Sequence, residues 1–144
     1  MNSGTNLVFV DTNVLVYAHD LDEGQKHDIA VAVLNKLWRD GTGVLSTQVL
    51  QEFYRVATRK MNPAMTKSEA RAIIAEYGQW CSMDTNPQLL VSASILDERY
   101  QLPWWDALVV EGAVRSGASL LLSDDLQNGQ RFGTLTVRNP FVGP

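Results

Sequence analysis

Apolar residues along this chain keep two rhythms. Residues 6–10 and 119–123 carry short unbroken runs, Leu7-Val8-Phe9-Val10 and Leu120-Leu121-Leu122, without the alternation of a half-exposed strand. Such runs read as strands buried on both faces. Residues 43–46 predict another short strand, and residues 134–137 an edge strand after the Asn128-Gly129 turn. Between these segments the period lengthens. Ile29, Val33, Leu37 and Ala30, Leu34, Trp38 recur at helical spacing, predicting a helix over 27–39 that Gly41 stops.

The remaining helices are announced by their ends. One is predicted over 48–60 and is broken by Asn62-Pro63. Thr66 and Glu69 have the Thr-x-x-Glu spacing of a capping box, opening a helix to about residue 81. Asn86-Pro87 starts a helix to about residue 100, and Pro103 precedes one over 104–116, with Gly117 as its C′ residue. Short apolar strands alternating with helices predict an α/β fold whose parallel sheet is covered on both faces. Ligands of such sheets bind beyond the carboxyl ends of the strands. Asp11 closes the first run and Asp124-Asp125 the later one, so chemistry is expected there.

Composition narrows the setting. With 144 residues, 45% hydrophobic and 19% charged, the chain is expected to form one globular domain over 1–144. The net charge of −4 gives no general pull toward nucleic acid, but the excess acid would be concentrated if several carboxylates share a cleft. Cys81 is the single cysteine, which excludes an intrachain disulfide and fits a reducing compartment. No leader-like segment opens the chain, and no apolar run nears the roughly 18 residues of a membrane span. A cytoplasmic protein without membrane attachment is expected.

Carboxylates beside apolar runs are the candidate chemistry, because Asp and Glu are rarely buried without a partner. Glu52 lies among Val49, Phe53 and Val56 on one helix face and is expected to point toward the core side. No capping box accounts for it, since the matching N-cap would be Val49. Asp106 falls in a first helical turn, where a carboxylate suits the helix dipole, yet Val109, Val110 and Ala113 continue its stripe. Asp11 has an ordinary reading as the N-cap of a helix beginning at Thr12, and Asp124-Asp125 as turn residues. Each ordinary reading is adequate singly; all of them together account less well for acids at strand ends and inward helix faces. Carboxylates gathered in a low-dielectric cleft repel one another until one takes a proton or a cation joins them. A hard cation such as Mg²⁺ suits oxygen ligands. His19, His27 and Cys81 make no zinc-type cluster, and the histidines read as surface or helix-end residues. A metal-dependent hydrolase is the predicted reaction class.

Four segments, in order, then resemble one family. Residues 10–17 (VDTNVLVY) resemble the opening motif of PIN domains, in particular the VapC toxins of bacterial toxin–antitoxin pairs. Residues 46–53 (STQVLQEF) are similar to the second motif with its Glu, and residues 104–108 (WWDAL) to the third. Residues 121–130 (LLSDDLQNGQ) are similar to the fourth, usually Ser/Thr-x-Asp. The similarity runs from about residue 7 to residue 141, with Asp11, Glu52, Asp106 and Asp125 spaced 41, 54 and 19 positions apart. It implies a Rossmann-like three-layer α/β/α sandwich with a mostly parallel sheet of four to five strands, and an endoribonuclease dependent on Mg²⁺ or Mn²⁺. By position it makes Asp11, Glu52, Asp106 and Asp125 the acidic quartet holding the metal, Asp11 and Asp106 foremost. Thr12, Asn13, Ser123 and Asp124 would support the acids or position substrate, the Ser-x-Asp spacing favouring Asp125 over Asp124 as the fourth acid. The resemblance further implies an RNA substrate, a homodimer, and silencing by a small VapB-like antitoxin.

RNA approaching an acidic cleft needs local positive charge. Arg55 and Arg59 lie one turn apart beside Lys60, with Lys67 and Arg71 in the next helix, and are candidate phosphate contacts. A solvated helix face is the plainer reading of any one of them. Trp104 and Trp105 are expected to pack rather than stack on bases, and Trp38 and Trp80 to sit in helix cores or a subunit contact. Three alternatives stay open: an RNA-processing PIN nuclease without a toxin role, a PIN module that binds without cutting, and a haloacid-dehalogenase-like phosphatase. The last would use Asp11 as nucleophile but wants a second Asp where this chain has Asn13.

Overall fold

The computed structural model describes residues 6–82 and 84–143. Strands β1 (Val8–Val10), β2 (Gly43–Val44), β3 (Leu120–Leu122), β4 (Arg131–Phe132) and β5 (Leu135–Arg138) form one sheet in the order β2-β1-β3-β5-β4. Neighbours run parallel except β4, which pairs antiparallel with β5. The register sets Phe9 beside Leu121 and Leu121 beside Val137, a buried row on one face. Helices α1 (Thr12–Ala18), α2 (Gln25–Asp40), α3 (Thr47–Arg59), α4 (Lys67–Tyr77), α5 (Pro87–Tyr100) and α6 (Trp104–Arg115) connect and cover the sheet. α6 lies on the Phe9 face, where a Cβ on Gly112 would stand 3.7 Å from the Phe9 ring. α2 lies over the other face, its Val33 and Leu37 lining a groove with Val8, Leu120 and Thr136. This is the α/β/α sandwich with a mostly parallel sheet. A smaller second core, Leu89, Ala93, Ala107 and Leu108, joins α5 to α6.

Local chemistry sets most element ends. The side chains of Asp11, Ser46, Thr66 and Asn86 each accept a backbone N–H at the start of α1, α3, α4 and α5. Thr66 and Glu69 form the full reciprocal capping box, each bond 3.1 Å long. Gly41 ends α2 in the left-handed conformation at φ 69°. Among the described residues no helix is long and apolar enough to cross a membrane.

Three segments differ from the sequence expectation. Residues 45–46 leave the strand early, because Ser46 is needed as the N-cap of α3 and Leu45 bridges instead to Cys81. α4 stops at Tyr77 rather than residue 81, and a 3₁₀ turn over Gly78–Trp80 carries Trp80 against Trp38 and Tyr77, with ring centroids 4.4 and 5.1 Å away. Trp80 is buried, so it and Trp38 take the packing role expected of them. Residues 135–138 are not an edge: β5 lies between β3 and β4, and the two-residue β4 takes the edge. A strand that short has no periodicity to read.

Candidate active site

β1 and β3 run side by side and deliver their carboxyl ends to one place. Asp11 N donates to Leu122 O at 3.0 Å, fastening the two ends together. The buried Asp11 side chain accepts from Thr12 N through Oδ1 at 2.7 Å and from Ser123 Oγ through Oδ2 at 2.9 Å. The N-cap role and the strand-end position therefore coincide in one residue. Burial pushes the Asp11 carboxyl from its ordinary 3.8 up to about 6. The bonds from Thr12 and Ser123 oppose that rise, while the charges of Asp125 and Asp106 add to it.

The same electrostatics ties in the other two acids. Asp106, in the first turn of α6, has its pKa raised by burial and then by the charge of Asp125. Asp125 is more exposed and is also raised, by lost hydration and then by Asp124. Ser123 is the hinge of the arrangement: fully buried, it donates to Asp11 while its Oγ accepts from Asp125 N at 3.1 Å. Asp124 is held apart from that work, accepting from Asn13 Nδ2 at 3.0 Å and from Tyr17 OH at 2.9 Å. Asn13 Nδ2 also reaches Asp125 Oδ1 at 3.4 Å, so one amide spans both acids. Burial, followed by the bond to Asp124, raises the Tyr17 phenol above its usual range. Sequence reading assigned Tyr17 no role; its signal was the four-residue step from Asn13, which puts both on one face of α1.

Glu52 is placed differently from expectation. Its side chain is 41% exposed and pairs with Arg55 at 2.5 Å. The reason is angular. The buried residues of α3 are Val49, Leu50, Phe53 and Ala57, and at about 100° per residue that stripe is centred well away from position 52. Glu52 therefore stands on the flank, and the charges that reach Asp11 are those of Asp125 and Asp106. Arg59, Lys60, Lys67 and Arg71 are exposed, like Arg55. Trp104 and Trp105 also depart from expectation: they are 37% and 64% exposed. They precede the buried stretch of α6, which begins at Ala107, so their rings lie outside the packed layer. The histidines behave as helix-end residues. His19 caps α1 with its ring against Phe53 and Tyr77, and His27 Nδ1 donates to Tyr17 O at 2.9 Å.

The PIN domain profile matches residues 8–128, a span that holds Asp11, Glu52, Asp106 and Asp125. The chain belongs to the PIN domain family. Among solved structures, this PIN domain is similar to a chain in the crystal structure of VapBC2 from Rickettsia felis bound to a DNA fragment from their promoter. The TM-score is 0.64 and the identity 18%, covering 92% of this chain and 98% of the other. At that identity the likeness is one of fold. No curated protein matches the chain.

The donor set of this PIN domain has a definite chemical character. Asp11 holds the Ser123 hydroxyl and feels the charges of Asp106 and Asp125, and the Asn13 amide lies on Asp124 and Asp125; such oxygen donors suit a hard cation and not a thiol- or imidazole-seeking one. Among the described residues no three His, Cys, Asp or Glu side chains stand together closely enough to hold an ion by themselves. A Mg²⁺ ion bound through one or two carboxylates, with water completing its shell, needs no such cage. A buried carboxylate titrating near 6, with two like charges turned on it, is stabilised by a cation beside it.

Proposed function

We propose that this PIN domain is a divalent-metal-dependent endoribonuclease, hydrolysing RNA phosphodiesters as the toxin of a VapBC-type toxin–antitoxin pair. The observation that carries the proposal is Asp11, a buried carboxylate at the carboxyl edge of the sheet facing the charges of Asp106 and Asp125. Asp11 would hold Mg²⁺ or Mn²⁺ directly, with Asp106 and Asp125, and Glu52 by its position in the second motif, joining it through water in the ion's shell. Bound there, the ion supplies a water of lowered pKa and neutralises charge building on the phosphate. Thr12 and Ser123 favour the ionised form of Asp11 and fix its two oxygens. Asn13 and Tyr17 anchor Asp124, so that the chain turning after β3 presents Asp125. Arg59 and Lys60, with Arg55 once released from Glu52, supply phosphate contacts along α3.

A VapB-like antitoxin is the proposed partner, a reading the fold likeness to a VapBC2 chain supports, and the cytoplasm is the proposed compartment. A second copy of this chain is the proposed cover for the outer face of α5, where Val91 and Ile95 are 62% and 53% exposed. The test is RNA cleavage by antitoxin-free protein with Mg²⁺ or Mn²⁺. Asp11→Asn should lower the rate at least roughly 100-fold, on the scale of lost metal-site contacts, while leaving the circular dichroism spectrum unchanged. Full activity in that variant would overturn the assignment.

A further inference from the structure

A pocket of about 430 Å³, lined by Trp105, the residue before Asp106, opens between the first turns of α3 and α6, a size within the roughly 300–1,000 Å³ of small-ligand sites. Trp105 forms one wall and leaves most of its ring in water. Gln48 Nε2 donates to Trp105 O at 3.3 Å, fixing the backbone that carries both Trp105 and Asp106. Gln51 and Asp84 supply polar groups at the rim, and Thr47 Oγ1 orients Asp84 by a 3.4 Å bond to Oδ1. We propose that this pocket is a nucleobase subsite, in which Trp105 stacks on an unpaired base of the RNA strand next to the scissile phosphate. The proposal rests on the ribonuclease reading and extends it to the substrate's bases.

Charge decides what the pocket accepts. Its described lining holds Asp84 and no Lys or Arg, so a phosphate is repelled from it. The cations Arg55, Arg59 and Lys60 lie elsewhere, on the C-terminal half of α3 and at its C-cap. A neutral aromatic ring suits a wall of tryptophan with amides and a carboxylate around it. Single-stranded bases are held in this way, one face on an aromatic side chain and the edge on groups that donate and accept. The base then sits against the residue that precedes Asp106 in α6, while its backbone runs toward the acids and the exposed cations.

The experiment compares wild type, Trp105→Ala and Trp105→Phe on a single-stranded hexaribonucleotide and on the same ribose-phosphate backbone without bases. Steady-state cleavage with Mg²⁺ gives kcat and KM; tryptophan fluorescence titration in EDTA gives binding without cleavage. Trp105→Ala is expected to raise KM roughly 5- to 100-fold, the range of one lost base stack, with kcat within about threefold. Trp105→Phe should restore most of the loss, and all three proteins should bind the abasic backbone alike. An unchanged KM in Trp105→Ala overturns the subsite and leaves the nuclease reading standing. A wild type that neither binds nor cleaves RNA overturns both. A loss equally large on the abasic backbone, with a changed mass by light scattering, overturns the subsite in favour of a subunit contact.

Discussion

Asp11 joins two demands that conflict at neutral pH. The fold buries it, which favours the protonated acid, and supplies donors from Thr12 and Ser123 that favour the anion; burial prevails, leaving the carboxyl near 6. Because the folded value lies above the ordinary 3.8, Asp11 helps stability below about 3.8, and that help is lost as pH rises through 6. In EDTA at pH 7.5, Asp11→Asn should therefore be more stable than wild type, by roughly 1–3 kcal/mol, with the gap narrowing toward pH 4. Thermal melts read this directly. Adding Mg²⁺ should raise the wild-type Tm and leave the variant's unmoved; a destabilised variant at pH 7.5 would contradict the account of Asp11. At this scale the sequence was informative about identity and less so about direction. Glu52 lies in the segment that resembles the second motif and has apolar neighbours, yet Leu50 and Ala57 belong to the buried stripe too and turn it away.

Element boundaries were legible where backbone hydrogen bonds close locally. The Thr66-Glu69 box, the Asn86-Pro87 start and Gly41 all act within a few residues of themselves, so their sequence signatures survive folding. Boundaries were missed where a distant segment sets them. β2 ends early because Leu45 finds Cys81 and Ser46 turns to cap α3. Trp80 leaves the helical path to pack over β2 so closely that a Cβ on Gly43 would lie 2.8 Å from its ring. Gly43→Ala is accordingly expected to cost about 1–3 kcal/mol, the usual penalty of overpacking, measured as a lower midpoint in urea. Trp80→Phe should relieve part of it in the double variant, since the clash is with the indole's far ring atoms.

For the whole molecule, the outer surface of the α5–α6 pair leaves large apolar side chains uncovered. α5 shares a small separate core with α6 and leaves Val91 and Ile95 in water. If a second copy covers them, Val91→Glu with Ile95→Glu should convert a dimer to a monomer by light scattering without lowering the Tm by more than about 1 kcal/mol equivalent. A wild type that is monomeric at micromolar concentration would remove that interface. What the sequence determined unaided is the alternation of four of the five strands with helices, and the caps, because each depends on near neighbours; its resemblance to PIN domains supplied the family. Tertiary structure alone decided which of the acids share one electrostatic field, that β5 is interior, that Glu52 turns to Arg55, and that Trp105 stays in water. The physical reason is that periodicity tells which side of an element is apolar, whereas burial and charge coupling depend on what packs opposite that side.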